Sequence, residues 1–132
     1  MKNVYPVILT PEKNGYSVYI PDFNANTQGD SLAEAIEMAR DAIGMMGVDY
    51  YYDRKEIPVP HMSSTVKLKK GEIATLVDID FDSYRKAYEN RTVKKNCTLP
   101  WLLCKEAERA NVNFSQVLQR ALREELAHAG KQ

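Results

Sequence analysis

Residues 93–126 constrain this fold more than any other stretch. Residues 93–99, VKKNCTL, read as one short polar-apolar strand, which Pro100 closes. Two amphipathic helical patterns follow, WLLCKEAERA and FSQVLQRALREELA, joined at Asn111-Val112-Asn113. One strand and two helices in about thirty residues are too few to bury a core alone. A second copy supplies the missing half: two strands pair into a ribbon and four helices close over it. Such a ribbon, polar face outward, is a known reader of the DNA major groove. The segment therefore predicts a homodimer, with a higher oligomer left open, and DNA as a ligand.

Strand parity sorts the residues of this segment. If Val93, Cys97 and Leu99 face the dimer core, Lys94, Asn96 and Thr98 face outward. Asn pairs with adenine, Lys with guanine, and Thr with polar base edges or a thymine methyl. Asn113, Phe114 and Ser115 open the second helix, where backbone N–H groups and the helix dipole suit a DNA phosphate. Val117, Leu118, Ala121, Leu122 and Leu126 form the stripe expected to be buried. A plain dimerisation module, its polar strand residues merely wet, is the competing reading. Charge favours DNA: residues 1–85 carry 9 Lys and Arg against 13 Asp and Glu, whereas residues 86–132 carry 9 against 5.

The front of the chain reads as a separate α+β layer. Residues 2–9 form a strand, with Pro6 pointing to an edge position or a bulge. A turn at 10–15 returns the chain through Tyr16 to Ile20, giving a hairpin ended by Pro21. Ser31 and Glu34 make a capping box, and Leu32, Ala35, Ile36, Ala39 and Ile43 recur at helical spacing; the stripe continues to Met46 and Tyr50. A short strand at 65–68 and a strong one at 73–81 complete a sheet with the helix on one face. Residues 82–92, DSYRKAYENRT, are polar and read as starting with a short helix that joins the two parts; the spacings place a front domain at 1–85, a linker at 86–92 and the ribbon segment at 93–132.

Asp78, Asp80 and Asp82 recur every second residue and share one strand face. Clustered carboxylates can hold Mg²⁺ for phosphodiester hydrolysis, but an exposed strand also carries charge to discourage edge pairing. The second reading is favoured; a metal-dependent nuclease using Asp78 and Asp80 stays as an alternative. Phosphate-loop, nucleophile-elbow and zinc-protease motifs are all missing, so no catalytic residue, metal or cofactor is expected. Cys97 and Cys104 lack metal-site spacing and read as small buried hydrophobes. No apolar run of about 18 residues and no leader pattern is found, so a cytoplasmic protein off the membrane is expected.

Taken together, the chain resembles the HicB family of antitoxins. The hairpin running into YIPDF, TQGDSLAEAIEMARDAI, and LVDIDFDSY with its preceding IPVP loop carry the resemblance in front. TLPWLL and NFSQVLQRALREEL resemble the ribbon-helix-helix repressors. PDFNANTQGD departs from the Pro-x-Leu-Pro-Gly-Cys-type segment of many relatives. The resemblance implies a front domain with a partial, non-catalytic RNase H-like fold that masks a small mRNA-cleaving toxin, HicA. It also implies a tail that dimerises and represses the operon through operator DNA. An acidic front would mimic RNA on the toxin, which makes Asp22, Asp30, Glu34, Glu37, Asp78 and Asp80 candidate toxin contacts. A ligand-sensing repressor without a toxin partner is the other alternative.

Overall fold

A computed structural model describes residues 1–62 and 67–130. The chain divides into two units, Met1–Thr92 and Val93–Gln132. In the first unit, β1 (Lys2–Glu12), β2 (Gly15–Ile20), β3 (Ala25–Gly29) and β4 (Ile73–Asp80) form one antiparallel sheet in the order β3-β2-β1-β4. Helix α1 (Leu32–Tyr52) packs on one face, and α2 (Phe81–Glu89) follows β4 directly. The second unit holds α3 (Trp101–Arg109) and α4 (Phe114–Ala129).

Alternation along the strands builds the core. Tyr5, Val7 and Leu9 of β1, Val18 and Ile20 of β2, and Val77 and Ile79 of β4 are buried, and Ala35, Ala39 and Ile43 of α1 meet them. Ser31 caps α1 by accepting from the Glu34 N–H at 3.1 Å. Glu34 closes the box one residue earlier than expected, accepting from the Asp30 N–H at 3.3 Å.

Pro6 lies in an interior strand, not at an edge. The Arg40 Nε donates to the Asp78 carbonyl at 2.9 Å, so the backbone groups of Asp78 face away from β1. By alternation, Pro6 of β1 faces β2, whose pairing stops at Ile8. The missing proline N–H therefore points where no ladder bond is due.

Strand β3 is absent from the sequence reading, which leaves PDFNANTQGD as a loop. A 3-10 turn at Pro21–Phe23 and Asn24 in the left-handed region (φ 48°) redirect the chain. Polar ANTQG then pairs with β2 as an edge strand, a position where apolar alternation is not required. The strand expected at 65–68 falls partly outside the described residues; Lys67 and Leu68 form none.

Gly44 and Gly47 dock α2 onto α1. A Cβ on Gly44 would lie 2.5 Å from the Tyr84 ring, and one on Gly47 would lie 2.4 Å from the Phe81 ring. The Tyr84 hydroxyl donates to Asp41 Oδ1 at 2.5 Å; burial and this bond hold its pKa well above the usual phenol value. Helix α2 thus occupies residues 86–89 of the expected linker.

Residues 93–99 form no strand in the single chain. A ribbon strand has no internal partner: its backbone groups pair only with those of another strand. Cys97 is exposed and Cys104 half-buried, so neither is a buried hydrophobe within one copy. The expected stripe is likewise uncovered, with Val117, Leu118, Leu122 and Leu126 all exposed.

Candidate protein and nucleic-acid interfaces

In the second unit, no residue of either helix is buried. Helix α3 turns at Asn111 (φ 55°) into α4, and the two helices flank a cavity of about 590 Å³. Leu99, Leu103, Ala107, Phe114, Leu118 and Ala121 are among its lining residues. The strand-length segment contributes Lys95, Cys97 and Leu99 to this lining, but not Lys94, Asn96 or Thr98. Lys95, not named in the inward set, thus joins Cys97 and Leu99 on the cavity side, and Val93 is not among the lining residues.

The start of α4 is closed by a side-chain cap. Asn113 Oδ1 accepts from the Gln116 N–H at 3.1 Å, so this side chain is the N-cap. The N–H groups of Phe114 and Ser115 lie in the first turn, where a helix supplies no internal acceptor. Cys104 donates to Glu108 Oε1 at 3.4 Å, and this bond raises the thiol pKa above its ordinary value. Trp101, which sequence reasoning treated only as part of a motif, is 71% exposed with Lys105 Nζ 5.8 Å from its ring.

In the first unit, the six candidate carboxylates divide by environment. Asp22 is withdrawn from contact: its side chain is 2% exposed and accepts from the His61 N–H at 3.1 Å, with His61 Nδ1 at 2.7 Å from the same oxygen. Its second oxygen is buried and has no hydrogen-bond partner among the described residues. Asp30 and Glu34 are exposed but joined through the α1 cap, and Glu37 is exposed one turn on.

Asp78 and Asp80 lie on the sheet face opposite α1. Arg40 Nη2 bonds Asp78 Oδ1 at 3.0 Å and holds that carboxyl below the usual carboxylate range. Asp80 is the N-cap of α2, accepting from the N–H groups of Ser83 (3.3 Å) and Asp82 (3.2 Å); these bonds, Ser83 first, lower its pKa. Asp82 pairs with the chain's amino group, which lowers its pKa too. Among the described residues, no three His, Cys, Asp or Glu side chains gather closely enough to hold a metal ion. The every-second-residue spacing placed these three acids on one face only while the strand continued; α2 begins at Phe81 and turns Asp82 away.

Two surfaces lie outside the site residues named from sequence. One is the sheet face opposite α1, where Tyr19 and Leu76 are exposed. The other lies at the end of α1, where Tyr51 and Tyr52 are exposed and the Arg85 guanidinium sits 4.0 Å from the Tyr51 ring. The second was legible as three consecutive tyrosines; the first needed the β1–β4 register.

The chain thus comprises an antiparallel sheet backed by α1 and a separate two-helix unit whose helices bury no residue of their own. Over residues 5–122 the chain matches a family profile described as HicB-like antitoxin of bacterial toxin–antitoxin systems, and it belongs to that family. It is similar to Antitoxin HicB 1 of Photorhabdus laumondii subsp. laumondii, 48% identical over 63 residues, 46% of this chain and 41% of that protein. The chain spans about two fifths of the length of the curated relatives it matches. A chain of a toxin–antitoxin complex from Streptococcus pneumoniae aligns with 95% of this chain and 99% of its own at TM-score 0.58 and 23% identity. A chain of the HicA3–HicB3 toxin–antitoxin complex covers 59% of this chain and 99% of its own at TM-score 0.50 and 21% identity. These structures share the mixed α/β fold. No helix among the described residues is long and apolar enough to cross a membrane.

Proposed function

We propose that this chain is an antitoxin that neutralises a HicA-like, mRNA-cleaving toxin and represses its own operon. The first unit, a partial RNase H-like layer without catalytic function, holds the toxin. The second dimerises as a ribbon-helix-helix module and binds operator DNA. Both events take place in the cytoplasm, where mRNA and operator are found. The observation that carries this reading is the pairing of a family match over residues 5–122 with a second unit whose two helices bury no residue.

The dimer supports a defined division of labour. Closing the apolar cavity against a second copy leaves Lys94, Asn96 and Thr98 on the ribbon's outer face as base readers. The amides of Phe114 and Ser115, oriented by the Asn113 cap, then take a phosphate and fix the register. A nuclease reading finds little support, because Asp78 is tied to Arg40 and Asp80 to the α2 cap. A ligand-sensing repressor would use a cavity in the first unit, where Lys2, Asn3, Val4, Asp78, Ile79 and Asp80 line an open groove.

Co-expression with the small open reading frame beside this gene tests the reading. The expected result is growth arrest by the neighbour alone, rescue by this chain, and a gel shift of the operon's promoter by the pure protein. A neighbour that neither arrests growth nor is captured overturns the antitoxin half; an unshifted promoter overturns the repressor half.

A further inference from the structure

We propose that the toxin seats on the open face of the sheet, with an apolar centre ringed by basic residues as the matching patch on that partner. This rests on the antitoxin reading above and replaces the scattered carboxylates with one surface. Alternation puts Val4, Pro6 and Ile8 of β1, Tyr19 of β2, and Ala74 and Leu76 of β4 on the face opposite α1. The register makes them neighbours: Pro6 stands opposite Leu76, and Ile8 lies between Ala74 and Tyr19. Leu76 is 56% exposed and Tyr19 38%.

The rim of this face is acidic at both ends. Asp78 and Asp80 stand at one end, where Asp80 lies opposite Lys2. At the other end Thr10 donates to Glu72 Oε2 at 2.8 Å, and Ser17 to Glu12 Oε1 at 3.1 Å. Both hydroxyls belong to the open face, so they hold the two carboxylates at its border. An apolar centre with a polar rim is the anatomy of a protein interface; here the rim carries four carboxylates against Lys2 and Arg40, and that acidic excess selects a basic partner. A surface that binds RNA has that sign, which fits an mRNA-cleaving toxin. Tyr19 is the side chain best suited to anchor the contact, being rigid, large and amphipathic.

The test uses the full chain and the protein encoded by the adjacent small frame. Tyr19→Asp combined with Leu76→Asp is expected to weaken the complex by at least about 30-fold. Met38→Asp, an equally exposed apolar position on α1, is expected to change affinity by less than about threefold. A folded double variant that binds like the wild type overturns the proposal while leaving the antitoxin reading intact. Failure of the wild type to bind overturns both.

Tyrosine nitration of the wild-type complex, read by mass spectrometry, does not depend on the variants folding. Tyr19 is expected to be protected by the toxin while Tyr51 and Tyr52 stay reactive. An unprotected Tyr19 overturns the proposal. So does protection that grows with the concentration of the free chain, which would assign the face to a second copy.

Discussion

The two units of this chain solve the burial problem in opposite ways. The first buries Tyr5, Leu9, Ile20 and Ile43 between its own sheet and helix, and α2 is locked to α1 through two glycines. The second has comparable apolar content in its helices and buries none of it. Length explains the difference. About ninety residues can fold a sheet over a helix, whereas about forty cannot enclose a core without a staple or a partner. A unit that buries no core of its own is suited to assembly, and the DNA reading proposed for it would gain from that, since two copies can read a palindrome.

Four substitutions or conditions would break or sharpen this contrast. The largest effect belongs to Leu118→Asp, which puts a charge into the apolar face of the second unit. It should abolish dimerisation and the promoter shift, while the thermal melt of the first unit stays unchanged. Light scattering and gel shift read the first two, and a dimer that persists would refute the shared-core view.

Gly47→Leu comes next and attacks the unit that stands alone. Its side chain would enter the space of the Phe81 ring, at a cost of about 2–4 kcal/mol in the chemical unfolding of the first unit. Dimerisation through the second unit should persist. A stability change near zero would mean that α2 is not held through this notch.

Asn96→Ala should cost about 1–3 kcal/mol on the operator and much less on random DNA. Equal losses on both would contradict base reading and favour a plain dimerisation module.

The smallest effect is one of pH. Asp78 and Asp80 are held below their ordinary value of 3.8 in the folded state, by Arg40 and by the α2 amides. Their contribution is complete above that value and is lost as pH falls through the lower folded values. Unfolding of the first unit should therefore ease as pH falls below about 4. Asp78→Asn should flatten part of that slope, and because the group is exposed the change should be small. An unchanged slope would show that the Arg40 pair contributes nothing.

Much of this architecture was legible from residue patterns. The hairpin, the Ser31 cap, the α1 stripe and the β4 alternation each follow from a local rule, with a period of two or of 3.6 and a turn or cap at the end. The two helices behind Pro100 and their uncovered stripe follow in the same way. What failed to show had no local signature. Strand β3 is polar because it sits at an edge, and Pro6 looks like an edge residue until the end of the β2 ladder is known. Asp22 reads as an exposed acid until the chain at His61 folds back over it.

The candidate sites divide along the same line. Lys94, Asn96 and Thr98 could be named as candidates from parity, because residue order fixes the two faces of any strand the segment would form on pairing. The open sheet face was not, because Pro6, Leu76, Ile8 and Tyr19 come from three strands whose register no single segment encodes. By itself, then, the sequence determined which residues wish to be buried and that the tail lacks the means to bury them. The tertiary structure alone decided which strands become neighbours, which acids are consumed as caps and ion pairs, and which apolar residues are left facing outward together. Burial preference is a property of each side chain, whereas adjacency is a property of the whole chain's path.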